Sequence, residues 1–187
     1  MRTPASFRLI SAITLSMLAI HAASAQQRCK FSYEGGTEEA SYPQQLRLDV
    51  GDTPGHIIAA YEVRRGPTPS AKPNCEGFKI VEKLTHGFLD TIDRNGRVRG
   101  YSTITLDNGD KIYTEYSGSV SAVTGADGLL MSMTNAISTW TGGTGRYLGV
   151  RGVTRDKSEN FYVKDSQGKL NAKTNKLSSE GEYWFEK

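Results

Sequence analysis

The sequence predicts an all-β fold, a barrel or a sandwich of eight or nine short strands. Three observations carry this. Runs of β-branched and aromatic residues recur along the chain, separated by turn signals at short intervals. "DNGD" at 107–110 lies between two such runs and is the strongest local hairpin signal present. No segment combines helical apolar spacing with a cap and a stop.

The elements follow in order. Residues 1–25 read as a leader: Arg2 and Arg8, an apolar run "LISAITLSMLAI", then Ala23, Ser24 and Ala25 as a small-x-small cleavage pattern. Cleavage after Ala25 would send the chain to the periplasm or outside the cell, with no membrane span left behind. Residues 26–55 are a polar, turn-rich lead-in in which "LRLDV" is one short strand. The barrel or sandwich proper is expected over 56–187. "HIIAAYEV" (56–63) is a strand, and "RRGPTPSAKPNCEG" (64–77) is loop because its prolines and glycines punctuate it. In "FKIVEKLT" (78–85), strict alternation puts Phe78, Ile80, Glu82 and Leu84 on one face, with Lys79, Val81, Lys83 and Thr85 on the other. "GFLDTI" is a further strand, and "DRNGR" carries an Asn-Gly turn. "VRGYSTITL" and "KIYTEYSGSV" form the hairpin around "DNGD". "LLMSMTNAISTW" (129–140) favours strand through Thr134, Ile137, Thr139 and Trp140. "NFYV" and "EGEYWFEK" complete the set.

Charge excludes some functions. The formal net charge of +3 includes Arg2 and Arg8, so it falls to +1 without the leader. Basic residues are interspersed with acids, and aromatics do not interleave with a basic patch, so no nucleic-acid role is indicated. Cys29 and Cys75 are the cysteines, and in an oxidising compartment they are expected to pair. Together with His56 and His86 they form no metal-ligand spacing.

"TGGTGRYLGVRG" (141–152) poses a choice between phosphate cradle and sheet corner. Gly143, Gly145 and Gly149 give G-x-G-x-x-x-G, which is not the dinucleotide fingerprint, and a strand-like segment follows instead of a helix. A hairpin corner fits, with glycines at positive φ or at bulges where the sheet coils.

This stretch resembles the glycine-rich hairpin of the allene oxide cyclase and dirigent barrels. "AYEVRR" (60–65) is similar to the first barrel strand of the cyclases, and "YSTITLDNGDKIY" (101–113) to their central hairpin. The resemblance implies an eight-stranded antiparallel β-barrel with an apolar cavity, often assembled as a homotrimer. It matches Glu62 to the cavity acid, and Arg151 to the arginine in the dirigent hairpin. Arg64 replaces the family asparagine and shares the face of Glu62, where it is placed to pair with it. Glu82 is a second candidate acid. Tyr101, Tyr116 and Trp140 are candidate cavity aromatics.

The expected function is binding of a small hydrophobic or phenolic molecule. Cofactor-free cyclase or isomerase chemistry through Glu62 and Glu82 is its catalytic form. The alternatives are a lipocalin-like carrier without catalysis, or an envelope interaction protein whose barrel is filled by side chains.

Overall fold

Ten strands pair into one antiparallel sheet in the computed structural model, which describes residues 27–35, 40–66, 72–125, 129–164, 166 and 170–186. They are β1 (Cys29–Gly35), β2 (Ala40–Ser41), β3 (Gln45–Asp49), β4 (His56–Arg65), β5 (Ile80–Ile92), β6 (Asn95–Leu106), β7 (Lys111–Thr124), β8 (Leu130–Gly143), β9 (Val150–Lys164) and β10 (Leu170–Phe185). The expected leader and its cleavage site lie outside the described residues. No helix among the described residues is long and apolar enough to cross a membrane.

The sheet order is β1-β10-β9-β8-β7-β6-β5-β4-β2, and β3 also pairs with β4. The expected eight-stranded closed barrel is therefore not what forms. The sheet curls, but its ladder stays open between β1 at one edge and β2 and β3 at the other. One segment, 29–49, supplies both edges: its first part lies on β10 and its last part on β4. Pro43, between β2 and β3, has no N–H to give to a continuous ladder. The lead-in and the body thus share a sheet, and Cys29, Phe31 and Tyr33 of β1 are core residues.

Glycines set the curl. Gly100 on β6 faces inward opposite Gly87 on β5. A Cβ on Gly100 would lie 2.1 Å from the His86 carbonyl oxygen and 2.8 Å from the Gly87 Cα. The strands approach too closely there for any side chain. Gly100→Ala must push β5 from β6, and we expect a loss of about 3 kcal/mol, the upper range for overpacking. Urea unfolding that matches wild type would refute this account of the curl.

One turn differs from expectation and one agrees with it. The β5–β6 turn is Asp93-Arg94, both at positive φ (49° and 67°), one step before Asn95-Gly96. Gly96 is needed in the strand, where a Cβ would meet the Asp90 carbonyl at 2.1 Å. The β8–β9 connection is a corner, as the glycine-rich stretch predicts, with a single 3₁₀ turn over Gly145–Tyr147. Its backbone amide at Arg146 is bound by the carboxylate of Asp110, 3.1 Å away. The chain's own acid occupies the position an anion would take.

An outer-face bridge ties β4 to β5. His56 Nδ1 lies 2.6 Å from Asp52 and Nε2 lies 2.9 Å from Asp90. Hydrogen bonding to Asp90, then to Asp52, raises the His56 pKa, and the bond to His56 lowers that of Asp52. The histidine's contribution is complete below its unfolded pKa of about 6.5 and fades as pH rises through the higher folded value. The aspartate's is complete above about 3.9 and fades as pH falls through its lower folded value. The stability gap between wild type and His56→Gln should be widest at about pH 4–6.5 and narrower at pH 8. A gap that grows toward pH 8 would contradict the bridge.

Candidate ligand site on the inner face

The inner face has an apolar base, a polar belt and a smaller apolar cluster. At the base, Trp140 stacks on Tyr183 with centroids 4.9 Å apart, and Phe31 meets Trp140 edge-on. Ile80, Ile104, Leu106, Ile112, Tyr147 and Val150 join this cluster. Loop 74–78 covers it, and Glu76 accepts hydrogen bonds from the Tyr147 and Tyr183 hydroxyls. The second cluster is Val98, Tyr116 and Ala136, with Tyr61 and Leu89 against it.

Between the clusters the inward positions turn polar. Ser102 and Thr114 separate Ile104 and Ile112 from Val98 and Tyr116, and Ser138 separates Trp140 from Ala136. Asp156 on β9 accepts hydrogen bonds from Ser138 and Ser179, and from Thr154 at 3.3 Å. Two cations face the same interior. Arg65 is 6% exposed and Lys83 is 8% exposed, and they are direct cross-strand partners on β4 and β5. The Lys83 ammonium lies 5.9 Å from the Tyr33 ring on β1, across the curl. Among the described residues Lys83 makes no hydrogen bond and no ion pair. Burial lowers its pKa and Arg65 adds to that, against an opposing pull from Asp156.

Lys83 is inward because of a bulge. The β5–β6 register slips between Ile80 and Glu82, so Val81 is the extra residue. Ile80 and Lys83 then share the inner face, while Glu82 and Leu84 turn outward. Strict alternation had put Glu82 with Ile80 and marked Lys83 as opposite. A bulge reverses the phase of every residue that follows it.

The tyrosine pair has its own geometry. Tyr61, Gly87, Gly100 and Tyr116 form one cross-strand row over β4–β7. The two hydroxyls meet over the glycines at 2.9 Å. A Cβ on Gly87 would lie 2.2 Å from the Tyr61 ring. Burial raises both phenol pKa values, so both stay protonated.

The other predicted site residues fall elsewhere. Glu62 lies on the outer face with Ile58 and Ala60. Its carboxylate is 3.9 Å from Arg64 and 3.3 Å from His86. Glu82 binds the same Arg64 at 2.6 Å. The two acids share a counter-ion outside the curl, as the Arg64 departure suggests. Tyr101 is exposed on the outer face, and Trp140 is sealed in the base. Arg151 binds Glu186 at 3.0 Å and the Thr141 carbonyl. Of the predicted set, Tyr116 alone lies beside the belt, in the smaller inner cluster. Arg65, Lys83, Asp156 and Tyr61 escaped the sequence reading. A lysine breaking an apolar strand face was the one available signal, and the bulge hid it.

Cys29 and Cys75 are free thiols and not within bonding distance. They are neighbours nonetheless: burial first, then hydrogen bonding to Cys75, pushes the Cys29 thiol up to about 11.

One opening, about 1000 Å³, is a broad groove over the outer face of β7–β10, lined by Ile137, Val153, Arg155, Lys157, Glu180 and Glu182 among others. Its charges are partly engaged, Lys157 with Glu159 and Glu182 with Arg28. No family model, curated protein or solved structure matches this chain.

Proposed function

We propose that this is an exported carrier that holds a small, largely apolar molecule with an anionic or phenolic group against the inner face of its curled sheet. The observation that carries the reading is Lys83, buried beside Arg65 with no hydrogen-bonded partner among the described residues. A desolvated ammonium without an acceptor is costly to a fold. Asp156 balances one cation, yet three of its roughly four lone-pair sites are taken by hydroxyls. A carboxylate or phenolic oxygen would complete the set, with its apolar body against Val98, Leu89 and Ala136. The enclosure this needs is a barrel-like closure of β1 toward β5, which the Lys83–Tyr33 contact supports. If the site also catalyses, its acid–base groups are Lys83 and the Tyr61–Tyr116 pair, not Glu62 and Glu82.

The test is thermal unfolding with 4-hydroxybenzoate, other small aromatic carboxylates and phenols, and their neutral esters. Saturating ligand at about a hundredfold over Kd should stabilise wild type by roughly 2.7 kcal/mol. Lys83→Met should melt higher than wild type when free, because an apolar isostere replaces an uncompensated charge. It should also lose the ligand response. No response in wild type would favour the filled-barrel alternative, and equal responses in both proteins would remove Lys83 from the site.

A further inference from the structure

We infer that Lys83 is an imine-forming amine, so that aromatic or apolar aldehydes are the ligand class bound covalently and reversibly at the inner site. This rests on the carrier reading and narrows it to one chemical class. An amine adds to a carbonyl only through a free lone pair, and a lysine in water at neutral pH is protonated in all but about one part in a thousand. Three features remove what stabilises that proton here. Lys83 is 8% exposed, so water solvates it poorly. Arg65 is its cross-strand partner and repels a second positive charge. Asp156, the acid of the belt, pulls the other way, but its oxygens turn to Ser138, Ser179 and Thr154 and it makes no ion pair with Lys83. Burial accordingly lowers the lysine pKa. Activation of an amine by desolvation and a neighbouring cation is the established physical route to a nucleophilic lysine.

The groups packed toward Lys83 also suit the step. Arg65 comes from β4, Tyr33 from β1 and Asp156 from β9. The nitrogen lone pair attacks the carbonyl carbon and the C=O π pair moves to oxygen. Two protons from nitrogen pass to that oxygen, which leaves as water, and a C=N bond remains. Nothing is oxidised or reduced, and the Arg65 cation disfavours proton return to the nitrogen before attack.

The probe is 4-hydroxybenzaldehyde, with 4-hydroxybenzoate as the non-reacting comparison. The full chain is incubated at pH 7 with sodium cyanoborohydride, which delivers hydride to the C=N bond and fixes it as a secondary amine. Peptide mass spectrometry then locates the adduct. Lys83 should be modified at least about tenfold faster than any other lysine. Lys83→Arg lacks the primary amine, so it should lose the adduct, while benzoate stabilisation is read on the wild-type chain. Labelling spread over surface lysines, or unchanged total labelling in Lys83→Arg, overturns the inference. Benzoate stabilisation without a Lys83 adduct leaves the carrier reading and removes the imine. An adduct without benzoate stabilisation does the reverse, and absence of both removes the two together.

Discussion

Trp140→Ala is expected to lower unfolding free energy by about 3–5 kcal/mol, the range for truncating a large buried aromatic. Trp140 is 1% exposed and is gripped on two sides, stacked on Tyr183 and edge-on to Phe31. Those partners come from β10 and β1, so the side chain joins an edge of the sheet to its middle. Removing it opens a void that Gly152, its cross-strand neighbour, has no side chain to fill. Trp140→Phe should cost clearly less, because the ring contacts persist. Urea denaturation followed by far-UV circular dichroism reads both. The two variants losing the same small amount would mean that the base is not the core, and the curl would need another anchor.

Asp156→Asn should cost about 1–3 kcal/mol for a different reason, since it removes the half-buried acid whose charge offsets that of buried Lys83. Asparagine can still accept from Ser138 and Ser179, so the hydrogen bonds alone change little. What disappears is the negative charge that acts on Lys83. The decisive comparison is the double variant. Asp156→Asn with Lys83→Met removes one charge of each sign, and it should be more stable than Asp156→Asn alone. A double-mutant cycle measures that coupling. Strict additivity would show that Asp156 and Lys83 do not sense one another, and the electrostatic account of the belt would fail.

The outer and inner faces carry opposite lessons about acids. Glu62 and Glu82 are conspicuous in the sequence because they interrupt apolar runs, yet each ends at Arg64 on the outside of the sheet. The inner face instead takes its charge from residues that look like ordinary surface positions, Arg65 at the edge of the proline-rich loop, Lys83 in "FKIVEKLT" and Asp156 within "TRDKSEN". Burial, and not residue type, separates the groups that matter from those that do not.

Local chemistry was enough for much of the fold. Turn residues and β-branched runs mark β4, β6, β7 and β8, and the hairpin at "DNGD" forms with Gly109 at φ 86°. The glycine-rich corner is readable for the same reason, because positive φ is a property of one residue and its neighbours. Tertiary structure decided the rest. Whether the ladder closes depends on where residues 29–49 pair, and these bind β10 and β4 far along the chain. Which face Lys83 takes depends on a bulge between Ile80 and Glu82, a slip set by the β6 partner strand. Alternation fixes which residues travel together on a strand, whereas only the partner strand and the curl fix which side is inside.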